Sequence, residues 1–454
     1  MIFPRDRERQ PAAGPESQAS PLVRRLARRF GQDSVEPVLP AASRLPRFAV
    51  AATDELGDFA PSAGAPDLHR ARLALAEALA PSQPVTSSER FAGRTDTLEA
   101  LIAAIEQSRA HVVLYGERGI GKTSLIHVFA ETAREARYLV FYGSCGVEAS
   151  FDEMFRAFAA RIPLLFHADI SPTADEEEHQ RSFADLVGEG ALDPRELADL
   201  FGRIVGTRVI LILDEYDRVE DVTFRRNVAE LIKNLSDRAA RVQLVLTGVA
   251  SSLEELVGFT PSIRRNLVGL GVGPMDEAAM NEILDRAEAA TGLRFAAGAR
   301  ARITRMSAGS PYLVRLLGSR AAALALDAER VEVSPADVVA GTEAVLGEWN
   351  AGLPRNVQRM LERADVQKAL PHLIAAARAS GTPDGSFTAE DVAAELGGGD
   401  PRAIEAELAA FAADPPLFQR IAPEEGQVRF RFRTQGLAQL LGLSAALARM
   451  DPGA

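Results

Sequence analysis

The chain has 454 residues, 47% of them hydrophobic, and a formal net charge of −12. That length accommodates two or three domains with sizeable cores, and the acidic balance excludes a protein coated in basic surface, so any nucleic-acid contact would have to be local. One cysteine (Cys145) excludes an internal disulfide or a multi-cysteine zinc site, the six histidines show no metal-ligand spacing, and no apolar run approaches the ~20 residues of a membrane-spanning helix.

Residues 1–85 are rich in Pro, Ala, Ser and Arg, with little periodicity, and read as a mostly disordered tail and linker. Its first seven residues carry no apolar stretch, so a secretory signal is not expected and the chain is placed in the cytoplasm. Within the tail, the stretch PLVRRLARRF at 21–30 is either a short basic amphipathic helix that docks on an anionic membrane or acidic partner, or a soluble segment with incidental arginines. Residues 67–80 predict a helix that packs on the core.

From 86 to 273 strands and helices alternate. His111 to Tyr115 is a short buried strand, and 124–136 a helix with Leu125, Ile126, Phe129 and Ala130 on one face. Between them Gly116-Glu117-Arg118-Gly119-Ile120-Gly121-Lys122-Thr123 fits G-x-x-x-x-G-K-[ST] at every fixed position, with Ser124 opening the helix. Glycines let backbone N–H groups converge on phosphate oxygens, and the helix N-terminus adds a favourable dipole. Lys122 is expected to reach the β- and γ-phosphates of ATP, and the Thr123 hydroxyl to ligate Mg²⁺.

A second strand is expected at 138–142 and a helix at 151–162. The acidic stretch 171–190 reads as a solvated insertion, and 193–205 as a helix N-capped by Asp193 with Pro194 in its first turn. Val209-Ile210-Leu211-Ile212-Leu213 is continuously apolar, as a central parallel strand requires, and ends in Asp214-Glu215. Alone, this could be an ordinary strand followed by solvated acids. Downstream of the phosphate loop it is the Walker B pattern: Asp214 holds the Mg²⁺ water shell and Glu215 orients or deprotonates the attacking water. A helix (221–239) and another strand (242–248) complete an α/β domain with a parallel sheet and its ligand at the carboxyl edge.

Residues 274–348 are helical throughout (275–290, 297–306, 311–325, 334–346) and read as a lid. Residues 349–454 predict a helix after Arg355, helices at 388–396 and 400–412, two strands at 417–422 and 427–433, and a last helix at 436–448. Helices followed by a two-stranded wing predict a winged-helix-like domain. Its second helix, from Asp400, carries Glu405 and Glu407 with only Arg402, a poor set for reading base edges. In the wing, Arg429, Arg431 and Arg433 alternate with Val428, Phe430 and Phe432, which puts three arginines on one face. That face either grips phosphates or an acidic partner, or belongs to an edge strand charged against aggregation.

These residues resemble the AAA-plus P-loop ATPases, in particular the initiator-like (origin-recognition type) and STAND branches. The resemblance covers about 90–346 and extends weakly to the C-terminus. Besides the two Walker motifs it rests on Phe91-Ala92-Gly93-Arg94, on Asp214-Glu215-Tyr216-Asp217, on Thr247 and on Gly309-Ser310-Pro311. It implies that the segment ending in Arg94 packs near adenine, that Thr247 is the sensor near the γ-phosphate, and that Pro311 belongs to the lid element of these branches. No clear second sensor is present, Arg315 being a candidate. Arg264 or Arg265 is either the arginine finger that reaches a neighbour's ATP or a basic helix end favoured by the dipole. No Asn-Lys-x-Asp guanine signature occurs, so ATP is expected over GTP.

Three readings of function follow: an ATP-hydrolysing switch that assembles with itself or a protein partner, a slow or non-hydrolysing nucleotide-dependent signalling scaffold, or a DNA-associated ATPase of the initiator or transposition-regulator type. DNA binding, where present, is expected to be weak and non-specific. A nucleotide kinase does not suit the tandem Asp-Glu.

Overall fold

The computed structural model describes residues 68–170, 181–250, 252–258, 261–382, 385–414, 416–421, 427–434 and 436–449. The basic segment 21–30 lies outside them, as do 171–180 of the acidic insertion.

A five-stranded parallel sheet organises the first half: β1 (His111–Gly116), β2 (Leu139–Ser144), β3 (Val209–Asp214), β4 (Val242–Val249) and β5 (Leu267–Val272), in the order β2-β3-β4-β1-β5. Every residue of β3 is buried. Its alternation divides between two cores, Val209, Leu211 and Leu213 on one face and Ile210 and Ile212 on the other, as a sheet covered on both sides requires. The helices up to β3 are α1 (Leu68–Ala78), α2 (Thr95–Glu106), α3 (Lys122–Glu135), α4 (Phe151–Ala159) and α5 (Pro194–Phe201), of which α2 and α3 cover one face of the sheet and α4 and α5 the other. α6 (Val222–Asp237) and the short α7 (Leu253–Val257) and α8 (Pro261–Arg264) follow. The predicted start of α5 holds: the Asp193 carboxylate accepts the Arg195 and Glu196 N–H groups at 2.8 and 3.1 Å, and Pro194 occupies the first turn. Residues 181–190 of the insertion are mostly exposed, as its charge implies, with exceptions at Ser182 and Phe183. Phe183 is fully buried against the sheet core, because the apolar ring outweighs the polar flanks.

The lid comprises α9 (Glu277–Thr291), β6 (Arg294–Phe295), α10 (Ala297–Ser307), α11 (Pro311–Asp327), β7 (Glu332–Val333) and α12 (Pro335–Gly352). One pairing lies outside the sequence reading, and the helix expected at 67–80 finds its core in the lid. The β6 and β7 dipeptides pair in parallel, and α1 packs on α9 and α11, so a helix from the apparent linker is a fifth lid helix. Gly309 stacks on the Pro274–Met275 connection, where the Met275 N–H donates to its carbonyl at 2.9 Å.

The C-terminal segment has α13 (Arg355–Leu361), α14 (Ala364–Lys368), α15 (Leu370–Ala379), β8 (Ser386–Phe387), α16 (Ala389–Leu396), α17 (Pro401–Ala413), β9 (Phe418–Ile421), β10 (Arg429–Phe432) and α18 (Leu437–Ala448). Three short helices replace the one expected after Arg355. The expected pair of strands gains a third, in the order β8-β10-β9. β10 is therefore central, which overturns the edge-strand reading of its arginines. Phe387, Phe418 and Phe430 are fully buried and pack ring against ring beneath this sheet. Arg433 lies outside the strand and donates to the Phe418 carbonyl at 2.9 Å, so three arginines do not share one open face. The lid and the C-terminal segment share one continuous hydrophobic core.

Candidate nucleotide site

At the carboxyl edge of the sheet a cavity of about 630 Å³ opens between the phosphate loop, the lid and the stretch before α2, within the usual range for small-molecule sites. β1 delivers the chain into the loop. Gly116 is pressed on β5, where a Cβ would lie 2.3 Å from the Val272 carbonyl oxygen, and Gly121 takes a left-handed φ of 97° as the N-cap of α3. Arg118, Gly119, Gly121, Lys122, Thr123 and Ser124 line the cavity. Gly116, Glu117 and Ile120 do not. Ile120 is buried in the core, and burial raises the Glu117 carboxyl above its ordinary range.

Lys122 is buried, and its Nζ donates to the Gly116 and Glu117 carbonyls at 2.9 and 2.7 Å. Burial lowers its ammonium to about 8 against the opposing pull of Asp217, Asp214 and Glu117. The cation is thus held ready beside the loop on neutral oxygens. The Ser124 hydroxyl accepts the Val85 N–H at 3.1 Å, tying the loop helix to the stretch before α2.

Asp214 closes β3. Its carboxylate is buried, accepts the Tyr142 hydroxyl at 2.7 Å and the Glu215 N–H at 2.8 Å, and lines the cavity. Burial, then the bond to Asp214, raises the Tyr142 phenol above its ordinary range, so the phenol remains the donor. Glu215 sits at φ 54°, an uncommon left-handed conformation outside glycine that collects at active sites. Its carboxylate accepts Arg218 at 2.9 Å and the Ser144 hydroxyl at 3.1 Å. Asp217 accepts the Val249 N–H at 2.8 Å and so pins this turn to the end of β4. The hard oxygen donors of Thr123 and Asp214 on one wall fit a magnesium–nucleotide complex.

Arg94, Pro311 and Arg315 complete the wall. Arg94 donates to the Ile120 and Gly273 carbonyls at 3.0 and 2.6 Å. Burial lowers the guanidinium of both Arg94 and Arg315, and among the described residues the Nε of each has no hydrogen-bond partner. Half-buried guanidiniums that line a cavity with an unpartnered Nε are what an anionic ligand would satisfy. Pro311 and Tyr312 begin α11 against the phosphate loop, 3.4 and 3.8 Å from where Cβ atoms of Gly121 and Gly119 would stand.

Thr247 and the two finger candidates lie elsewhere. Thr247 pairs with Leu114, is fully buried without a hydrogen-bond partner among the described residues, and is not on the cavity wall. Arg264 and Arg265 stand just before β5, whose first residues run beside His111. The six residues of β1, at about 3.3 Å each, separate them from the loop of their own chain by roughly 20 Å. Both are mostly exposed and pair with Glu254 and Asp237 at 3.2 and 3.7 Å. Sequence reasoning did not single out Gln83, Pro84 and Val85, Arg218, or Tyr142 as site residues. The first three carry no motif, and Tyr142 looks like any strand aromatic.

Residues 90–246 match the family described as AAA ATPase domain. No curated protein matches the chain. Among solved structures, Cdc6p from Pyrobaculum aerophilum is similar at 16% identity over 82% of this chain and 98% of its own, with a TM-score of 0.43. A Drosophila ORC chain bound to DNA is similar at 15% identity over 94% and 100%, with a TM-score of 0.45. The Thermotoga maritima RuvB Holliday junction branch migration motor is similar at 17% identity over 76% and 94%, with a TM-score of 0.41. Likenesses at this level carry no functional information. Among the described residues no helix is long and apolar enough to cross a membrane.

Proposed function

We propose that this chain, which carries an AAA ATPase domain in residues 90–246, binds ATP with Mg²⁺ in the cavity and hydrolyses it as a switch that assembles with itself or a partner. The observation that supports it most directly is the convergence on one wall of six residues of the phosphate loop and its helix start, the buried Asp214, and two half-buried arginines from outside the loop whose Nε atoms have no partner among the described residues. In this reading the loop N–H groups and Lys122 hold the phosphates, and Arg315 from the lid neutralises further phosphate charge. Thr123 and Asp214 hold Mg²⁺, which when bound neutralises charge on the phosphate oxygens. Glu215 takes the proton of the attacking water, and Arg264 or Arg265 serves the ATP of a neighbouring copy, since neither reaches its own. ATP as fuel places the work in the cytoplasm.

Arg315 stands one turn into α11, and α11 shares its core with the C-terminal segment. Phosphate contact at Arg315 would therefore reposition lid and C-terminal segment together. The helix–strand–helix–helix–strand–strand order of α15, β8, α16, α17, β9 and β10 supports a winged-helix reading of that segment. It is the output surface, for a protein partner or for weak, non-specific DNA contact through Arg429.

A slower, scaffold-like enzyme is favoured by one observation: both Arg218 and Ser144 engage the Glu215 carboxylate. The same experiment separates the two. Glu215→Gln should retain ATP binding and lose turnover by about 10²–10⁴, while Lys122→Ala loses tight binding. A wild-type rate equal to that of Glu215→Gln supports the scaffold, and unchanged affinity in Lys122→Ala refutes the nucleotide site.

A further inference from the structure

We infer that Tyr142 is a positioning residue for the metal carboxylate: its phenol fixes Asp214 in the orientation that Mg²⁺–nucleotide requires. The inference rests on the nucleotide reading above.

Tyr142 lies on β2 in register with Ile212, two residues before Asp214 on the neighbouring strand. Period two puts Tyr142 and Asp214 on the same sheet face as diagonal neighbours, a separation that an aromatic side chain can span. The phenol does span it, donating to Oδ2 at 2.7 Å while the Glu215 N–H donates to Oδ1 at 2.8 Å. Each carboxylate oxygen is held by one donor and keeps a lone pair for a cation or its water. Among the described residues no other side chain donates to Asp214.

The phenol is itself held. His127 stacks on its ring, with centroids 5.0 Å apart and planes at 25°. His127 lies on α3 one helical turn beyond Thr123, and residues four apart share a helix face. One face of the loop helix thus supplies the hydroxyl expected at the metal and the ring that confines the phenol on the carboxylate opposite. A phenylalanine would pack against this core as well as the tyrosine, so the hydroxyl acts on Asp214 alone. Outer-sphere hydrogen bonds of this kind are worth about 10–100-fold in metal affinity.

The test is binding of a fluorescent ATP analogue to the full chain, titrated with MgCl₂ and repeated in EDTA, for wild type, Tyr142→Phe and His127→Ala. Tyr142→Phe keeps the ring and its stack. It should raise the Mg²⁺ midpoint about 10-fold or more while leaving affinity in EDTA within about twofold and the melting temperature nearly unchanged. His127→Ala should move the midpoint the same way by less, because the donor persists but is no longer confined. Superimposable Mg²⁺ titrations for wild type and Tyr142→Phe would overturn the inference. So would an equal loss with and without Mg²⁺, which marks a merely structural hydroxyl. Wild-type protein that binds no analogue in either condition would instead refute the nucleotide site, and this inference with it.

Discussion

His111 should make the folded chain sensitive to acid, and the size of its contribution follows from its surroundings. His111 opens β1 and is buried, and its Nδ1 accepts the Leu244 N–H at 2.9 Å. An accepting nitrogen must be unprotonated, and burial lowers the imidazole from 6.5 to about 4. Above pH 6.5 the ring is neutral in the folded and unfolded chain alike and contributes no pH dependence. Between 6.5 and 4 the unfolded chain binds a proton that the folded one refuses, so stability falls as pH falls, by about 1.4 kcal/mol per unit. The window of 2.5 units gives about 3 kcal/mol at pH 4, a large share of the 5–15 kcal/mol typical of a domain. Urea unfolding of wild type and His111→Asn at pH 7 and at pH 4.5 measures it. Asparagine can accept the same N–H but does not titrate. The stability difference between the two proteins should therefore shift by about 2–3 kcal/mol in favour of the variant at the lower pH. A difference that stays constant across this range refutes the assignment of a neutral, accepting His111.

Gly116→Ala should abolish nucleotide binding, because its Cβ would stand 2.3 Å from the Val272 carbonyl oxygen and must push β5 off the loop's first residue; equilibrium binding of a fluorescent ATP analogue checks this, and wild-type affinity would refute it. Arg264→Ala/Arg265→Ala should keep ATP binding and lose about 10³-fold or more in turnover. Turnover should return in part on mixing with Lys122→Ala, and a wild type that is monomeric in ATP and unaffected by concentration refutes the trans role. Arg429→Gln should weaken any DNA affinity equally for all sequences and reduce the log–log salt slope by about 0.9. Strong discrimination among duplexes by wild type would show that the glutamates of α17 were misjudged.

The sequence determined the phosphate loop, the apolar strand that ends in Asp214-Glu215 and the alternating α/β order. Each of these is a local pattern: fixed glycine spacing, a continuous apolar run, a cap and its helix. The same locality explains where the reading stopped short. Proline-rich residues 81–85 have no pattern of their own, and they become a cavity wall only because α1 is drawn onto the lid by apolar contacts with α9 and α11. β8 is two residues long, too short for any periodicity, and it exists because β10 offers it a partner. Arg264 and Arg265 are near β5 in sequence, but parallel strand direction puts them at the far end of the sheet from their own loop. Tyr142 is the clearest case. Residue 142 and residue 214 have no relation along the chain, and only the parallel register of β2 on β3 brings the phenol to the carboxylate. Motifs record what a backbone segment must do by itself, whereas hydrogen bonds between strands depend on a register that only the packed sheet sets.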